Sequence, residues 1–121
     1  MLGLPHAVHV TTAEVTDRAG ALETMERRGG GLTDVRKYLV DGGYSGEKFA
    51  CAVKELCGAE VEVVKRSEVH KFAVVPRRWV VERTFGWLDK HRRLWKNCER
   101  KLHTSCQMVV LALIAILIAR F

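Results

Sequence analysis

No C-x-x-C pair occurs among the four cysteines, Cys51, Cys57, Cys98 and Cys106, and no histidine pair stands at zinc-ligand spacing with them. That argues against the common structural zinc modules and leaves buried free thiols in a reducing cytoplasm as the expectation. A secretory signal is not expected, because Met1-Leu2-Gly3-Leu4-Pro5 lacks a basic start and a long apolar stretch. The apolar run over residues 108–119, MVVLALIAILIA, falls short of the roughly 20 residues that cross a bilayer. A buried core helix is therefore expected there, ahead of a membrane tail anchor. No internal repeat or low-complexity linker divides the chain, and 121 residues make at most one domain. Acids are in deficit, with 14 Asp and Glu against 20 Lys and Arg. The resulting charge of +6 favours a polyanionic partner such as nucleic acid and says nothing about fold.

What is present suits a packed domain. Apolar residues make up 48% of the chain, enough for a core. Residues 4–10 alternate weakly and suggest a strand. Asp17 is placed to cap a helix running to about Arg28, and Gly29-Gly30-Gly31 should stop it and open a flexible joint. Residues 35–40 (VRKYLV) suggest a second strand, ended sharply by Asp41-Gly42-Gly43. Ser45 should cap a helix over 47–57, which Gly58 ends. Residues 61–65 (VEVVK) suggest a β-branched strand, and 72–75 a short extended piece before Pro76. A helical pattern then runs over 77–95, with a last helix over about 104–120. Strands alternating with helices make an α/β pattern.

Two carboxylates stand out by position. Asp41 terminates an apolar strand, and in open α/β sheets functional groups collect beyond the carboxyl ends of strands. The following glycines let the chain turn and leave the carboxylate open to an ion or phosphate. An Asp-Gly step also starts an ordinary turn, and both readings stay open on sequence alone. Glu82 falls inside the expected helix 77–95, with Arg78 four residues earlier on the same face and Gly86, Asp89 and Arg93 continuing it. Val81, Phe85, Leu88 and Trp95 gather on a different face and are expected to pack inward. Taken alone, Glu82 could equally form an exposed ion pair worth about 0.3–0.5 kcal/mol.

Cations concentrate around Glu82. Between Arg77 and His103 stand nine Lys and Arg, at 77, 78, 83, 90, 92, 93, 96, 100 and 101, against three acids at 82, 89 and 99. That excess of six equals the charge of the whole chain. Trp79, Trp87 and Trp95 are interleaved with them; some could stack on bases or ribose, with at least one or two expected in the core.

These residues together resemble a known family. Leu39-Val40-Asp41-Gly42-Gly43-Tyr44-Ser45-Gly46 is similar to the second-Asp motif of insertion-sequence-five type DDE transposases. Val61-Glu62-Val63-Val64-Lys65-Arg66 is similar to the strand that follows it. Pro76-Arg77-Arg78-Trp79-Val80-Val81-Glu82-Arg83-Thr84-Phe85-Gly86-Trp87-Leu88 is close to the third-carboxylate signature, and His91-Arg92-Arg93-Leu94 extends it. Leu2-Gly3-Leu4-Pro5-His6-Ala7-Val8 and Ala13-Glu14-Val15-Thr16-Asp17-Arg18 resemble the region before the second Asp. The likeness covers nearly the whole chain. Two flanking positions depart from the pattern: Val75 stands where a Tyr is usual, and Asp89 where a Lys is usual, with Lys90 one place on.

The resemblance implies a ribonuclease-H-like fold whose three carboxylates hold two Mg²⁺ ions. It implies that Asp41 is the second and Glu82 the third of these, both catalytic and metal-binding. It further implies contacts from Arg78, Arg77, Arg83, Lys90 and Arg93 to double-stranded DNA at terminal inverted repeats. The first catalytic Asp should lie upstream, since Asp17 matches a non-catalytic position. Residues 1–121 would then be the C-terminal part of a single catalytic domain: an incomplete α/β fold, its mixed sheet lacking the first two strands and flanked by helices. Such a chain is expected to be inactive alone, and to work with an upstream fragment or an intact transposase. The alternatives are a non-catalytic basic DNA-binding or partner protein and, third, a small protein held at the membrane by its C-terminal run.

Overall fold

In a computed structural model the described residues are 4–64 and 78–120, the Arg78 side chain excepted. The chain forms two compact units, Ala13–Val75 and Met1–Thr12 with Pro76–Phe121.

The first unit is built on a β–α–β crossover. Strand β1 (Lys37–Val40) pairs in parallel with β2 (Glu60–Val63), in the register Lys37 to Glu60 and Val40 to Val63. Parallel strands cannot be joined by a tight turn, and the connection here carries α2 (Glu47–Cys57). The expected α/β class holds, as a helix-rich chain with a small parallel sheet, and it is consistent with an incomplete ribonuclease-H-like arrangement. Among the described residues the sheet has two strands, parallel where a mixed sheet was expected. The alternation that marked the strands sets their faces. Tyr38, Val40, Val61 and Val63 are half-buried, while Lys37, Leu39, Glu60 and Glu62 face solvent. On the exposed face Lys37 Nζ meets Glu62 Oε2 at 2.9 Å.

Helix α1 (Asp17–Arg28) and α2 cover the inner face. Phe49, Val53 and Ala59 form the buried centre, with Leu22, Met25, Tyr38, Val40 and Val61 against it. Local chemistry sets the helix ends. Thr16, not Asp17, caps α1: its extended backbone lets Oγ1 accept from Ala19 N at 3.3 Å. Asp17 is instead the first helical residue, where its charge meets the positive end of the helix dipole. The triple glycine forms a 3₁₀ turn, Gly29–Leu32, rather than an open joint, and burial of Leu32 anchors it. Ser45 does not cap α2 either. Gly46 holds that position at φ 122°, with no side-chain cap, and Ser45 N–H closes the preceding turn onto Gly42 O. Gly58 ends α2 as expected, left-handed at φ 67°, donating to Lys54 O at 2.9 Å. Strand β2 stops at Val63, and the expected extended piece at 72–75 lies outside the described residues.

The second unit is helical. The helix expected over 77–95 is two, α3 (Arg78–Asp89) and α4 (Arg92–Trp95). His91 is extended between them, and its N–H bonds Leu88 O at 2.9 Å. Neither Lys90 nor His91 is a strong helix breaker, so propensity does not foretell the break. Helix α5 (Leu102–Arg120) buries one stripe, Ser105, Ala112, Leu113 and Ile116. Ser105 Oγ donates to Asn97 Oδ1 at 3.1 Å, tying the start of α5 to the loop before it. The opposite side is apolar and exposed: Val110, Leu111, Ile114, Leu117 and Ile118. A fully buried core helix was expected; α5 spans 19 residues, is long and apolar enough to cross a membrane, and is 22% buried.

Residues 4–10 form no strand, and among the described residues of this unit no second strand offers them a ladder. They run beside α5, where the Cys106 thiol donates to Val8 O at 3.8 Å. The expected inward face of α3 is also displaced. Val81, Phe85 and Trp95 are exposed, and Val80 is the buried residue. With α4 and α5 as its helical neighbours in the unit, α3 is covered along the line through Val80, Thr84 and Trp87 rather than along its most apolar side.

Val53 is fully buried, so Val53→Ala should cost about 2–3 kcal/mol from lost methyls and the cavity left behind. Urea unfolding followed by far-ultraviolet circular dichroism measures this. Burial, reinforced by Cys57, pushes the Tyr38 phenol from its ordinary 10.0 up to about 12. The folded state therefore holds that proton more tightly than the unfolded chain does. The stabilisation is full below pH 10 and is lost as pH rises toward 12. Tyr38→Phe should flatten the stability profile across that window.

Candidate active site

The Asp41 carboxylate sits where the β1 ladder ends. Its Oδ1 accepts from Gly43 N at 3.0 Å and caps the 3₁₀ turn Gly42–Tyr44. Asp41 thus starts a turn and also stands exposed beyond the carboxyl end of a strand, so both sequence readings hold together. A Cβ at Gly43 would lie 3.1 Å from Asp41 Oδ1, tight enough to disturb the carboxylate.

Two neighbours fix this turn. Arg18 Nε donates to Gly43 O at 2.8 Å, so the first turn of α1 holds the Asp41 loop from the side. Tyr44 packs its ring on Phe49, with centroids 5.5 Å apart. Burial raises the Tyr44 phenol above its ordinary value, and the charges of Asp17 and Asp41 raise it further. Sequence analysis gave Arg18 no role; the only signal was its place in a motif before the second Asp.

Glu82 lies on an exposed turn of α3 in the helical unit. The cations expected around it differ in situation. Arg77 and the Arg78 side chain lie outside the described residues. Lys90 is exposed in the turn after α3. Arg93 is held by Glu99 at 2.6 Å, a pairing that raises its affinity for its proton. Arg83 is half-buried, with its guanidinium carbon 4.6 Å from the Trp79 ring centroid and 4.7 Å from that of Trp87. Arg120, at the end of α5, lies 4.2 Å over Trp87. Trp79, Arg83 and Trp87 share one helical row at spacing four, a pattern present in the sequence but read as cations interleaved with tryptophans, some for stacking on bases or ribose and at least one or two for the core. None of the three tryptophans is buried: Trp79 and Trp95 are exposed and Trp87 is half-buried.

The donor chemistry of Asp41 and Glu82 suits a hard divalent cation such as Mg²⁺. Among the described residues, however, no three His, Cys, Asp or Glu side chains gather as a metal site. The cysteines do not supply one. Cys51 and Cys98 are exposed and Cys57 and Cys106 half-buried, where buried thiols were expected.

Comparison with known proteins identifies the family. The family described as Transposase DDE domain matches residues 1–118. A protein named as a transposase of insertion sequence element IS402, from Burkholderia cepacia, is 34% identical over 106 residues. The match takes in 82% of this chain and 50% of the relative, so the chain spans about half the length of the curated relative it matches. No solved structure matches the chain. With the family match spanning both carboxylates, the chain belongs to the transposase DDE domain family.

Proposed function

We propose that this chain supplies the second and third carboxylates, Asp41 and Glu82, of a metal-dependent transposase that cuts and joins DNA at the ends of an insertion sequence. The observation that carries the proposal is the family match over residues 1–118, which includes both acids, each of them exposed. The insertion-sequence-five subtype rests on the motifs at Asp41 and Glu82. Residues 1–121 are taken as the C-terminal part of one catalytic domain, acting in the cytoplasm with an upstream fragment or an intact transposase.

The metal would be Mg²⁺, chosen by oxygen ligands. When bound, a pair of such ions clamps the reacting phosphate and stabilises the attacking and leaving oxygens. The chain's own part is to hold its carboxylates and to grip DNA. The Arg18 bond and the glycine turn fix the position of Asp41. Exposed Lys90 is free to meet a phosphate, whereas Arg93 must first yield its Glu99 partner. Arg78, Arg77 and Arg83 complete the proposed contacts to the double-stranded terminal repeats.

A second reading, a non-catalytic DNA-binding or partner protein, is favoured by the cation excess over 77–103. Adding the N-terminal half of a relative to the purified chain, with element-end duplex and Mg²⁺, separates the two. Strand cleavage should appear only in the mixture, and Asp41→Asn or Glu82→Gln should return it to background. Robust nicking by the chain alone, abolished by Asp41→Asn, would overturn the assignment of an incomplete catalytic set. Duplex binding that persists without any cleavage in the mixture favours the second reading. If the chain stays with membranes through a high-salt wash, the apolar helix α5 is an anchor instead.

Binding should weaken with salt, each phosphate contact adding about 0.9 to the slope of log affinity against log salt. Lys90→Ala should lower that slope by about one contact. Arg93→Ala should lower it less, and fluorescence anisotropy across a salt series distinguishes them.

A further inference from the structure

We propose that Arg18 is a phosphate anchor at the Asp41 turn, gripping the backbone of the DNA strand that reaches this acid. The proposal deepens the DNA reading above and rests on it. One glycine sets the geometry. Gly43 N–H donates to Asp41 Oδ1 at 3.0 Å, and Gly43 O accepts from Arg18 Nε at 2.8 Å. Carboxylate and guanidinium are therefore tied to the two polar groups of a single residue. Arg18 is exposed, and its two Nη nitrogens have no hydrogen bond or ion pair among the described residues.

A guanidinium is planar, and its donors form a rigid fork that matches a phosphate. With Nε spent on Gly43 O, the plane is held and the Nη edge is left to meet a ligand. A side chain ordered in advance loses less freedom on binding than a loose surface arginine. Charge identifies the ligand. Asp17 and Asp41 both act on the Tyr44 phenol, so two negative charges flank the turn. A polyanion approaching Asp41 is repelled by both, and Arg18 is the cation bonded into that turn. An oxyanion with paired oxygens fits the fork. In the DNA reading that group is a backbone phosphate, a contact that sets the register of the strand and carries no base preference.

The test is Arg18→Gln in the full chain. Glutamine places an amide nitrogen where arginine has Nε, so it can keep the bond to Gly43 O while lacking the charge and the fork. Fluorescence anisotropy on element-end duplex should show weaker binding, with the slope of log affinity against log salt lower by about 0.9, one phosphate contact. Arg18→Lys keeps the charge without the fork and should recover part of the loss, which guards against a folding defect in the glutamine variant. Arg27→Gln is the control: it removes the same charge from the other end of α1, where Arg27 pairs with Glu23 at 2.8 Å, and should bind as the parent chain. In a scan of single methylphosphonate linkages, one neutralised position should weaken the parent and leave Arg18→Gln unchanged. A parent-like slope in Arg18→Gln shows a residue that only braces the turn and overturns the anchor. Equal losses in Arg18→Gln and Arg27→Gln, or a scan without such a position, overturn it as well; all three leave duplex binding standing. A parent chain that binds no duplex removes the DNA reading itself, and the anchor with it.

Discussion

Two parallel strands laid side by side impose a long connection, because the second must begin at the end where the first began. In this chain that requirement organises the Ala13–Val75 unit. The ladder from Lys37–Val40 to Glu60–Val63 forces a crossover, and the crossover supplies the helix that buries Phe49 and Val53 against Tyr38, Val40 and Val61. The point where the chain leaves the ladder is where Asp41 stands. Its carboxylate is positioned by the same pairing that forms the core, with Arg18 and the glycine turn refining the position locally.

Much of this unit was legible because its signals are local. The span of α2 follows from its position between two turn signals, and Gly58 is the residue a left-handed helix end prefers. The end of β1 is written in Asp41-Gly42-Gly43. The caps were misplaced by one residue, Thr16 for Asp17 and Gly46 for Ser45, since adjacent residues compete for the same role and only backbone geometry decides between them. The region over 4–10 was misread for a different reason. Its alternation fits a strand, but a strand exists only where a second one answers its backbone groups.

In the helical unit the sequence was a weaker guide. The most apolar line of α3, through Val81 and Phe85, faces outward, while Val80 is buried. Hydrophobicity ranks the faces of a helix but cannot say how many neighbours will cover them. Nor could it show that Arg120 comes to rest on a tryptophan more than thirty residues earlier in the chain, since that contact depends on where α5 ends. At the candidate site, both acids were visible in the motifs, and the exposed Lys90 in the cluster of cations around Glu82. Arg18 and the tryptophan–arginine column were not, because their roles come from packing.

The outward side of α5 has a consequence for the chain in bulk solution. Val110, Leu111, Ile114, Leu117 and Ile118 offer water a continuous aliphatic strip with no charged residue between them. Mutual repulsion from the +6 charge opposes the approach of such strips on separate copies. Electrolyte weakens that repulsion and leaves the aliphatic attraction intact. Salt that would release a polyanion from the basic segment would therefore also lower the barrier between copies.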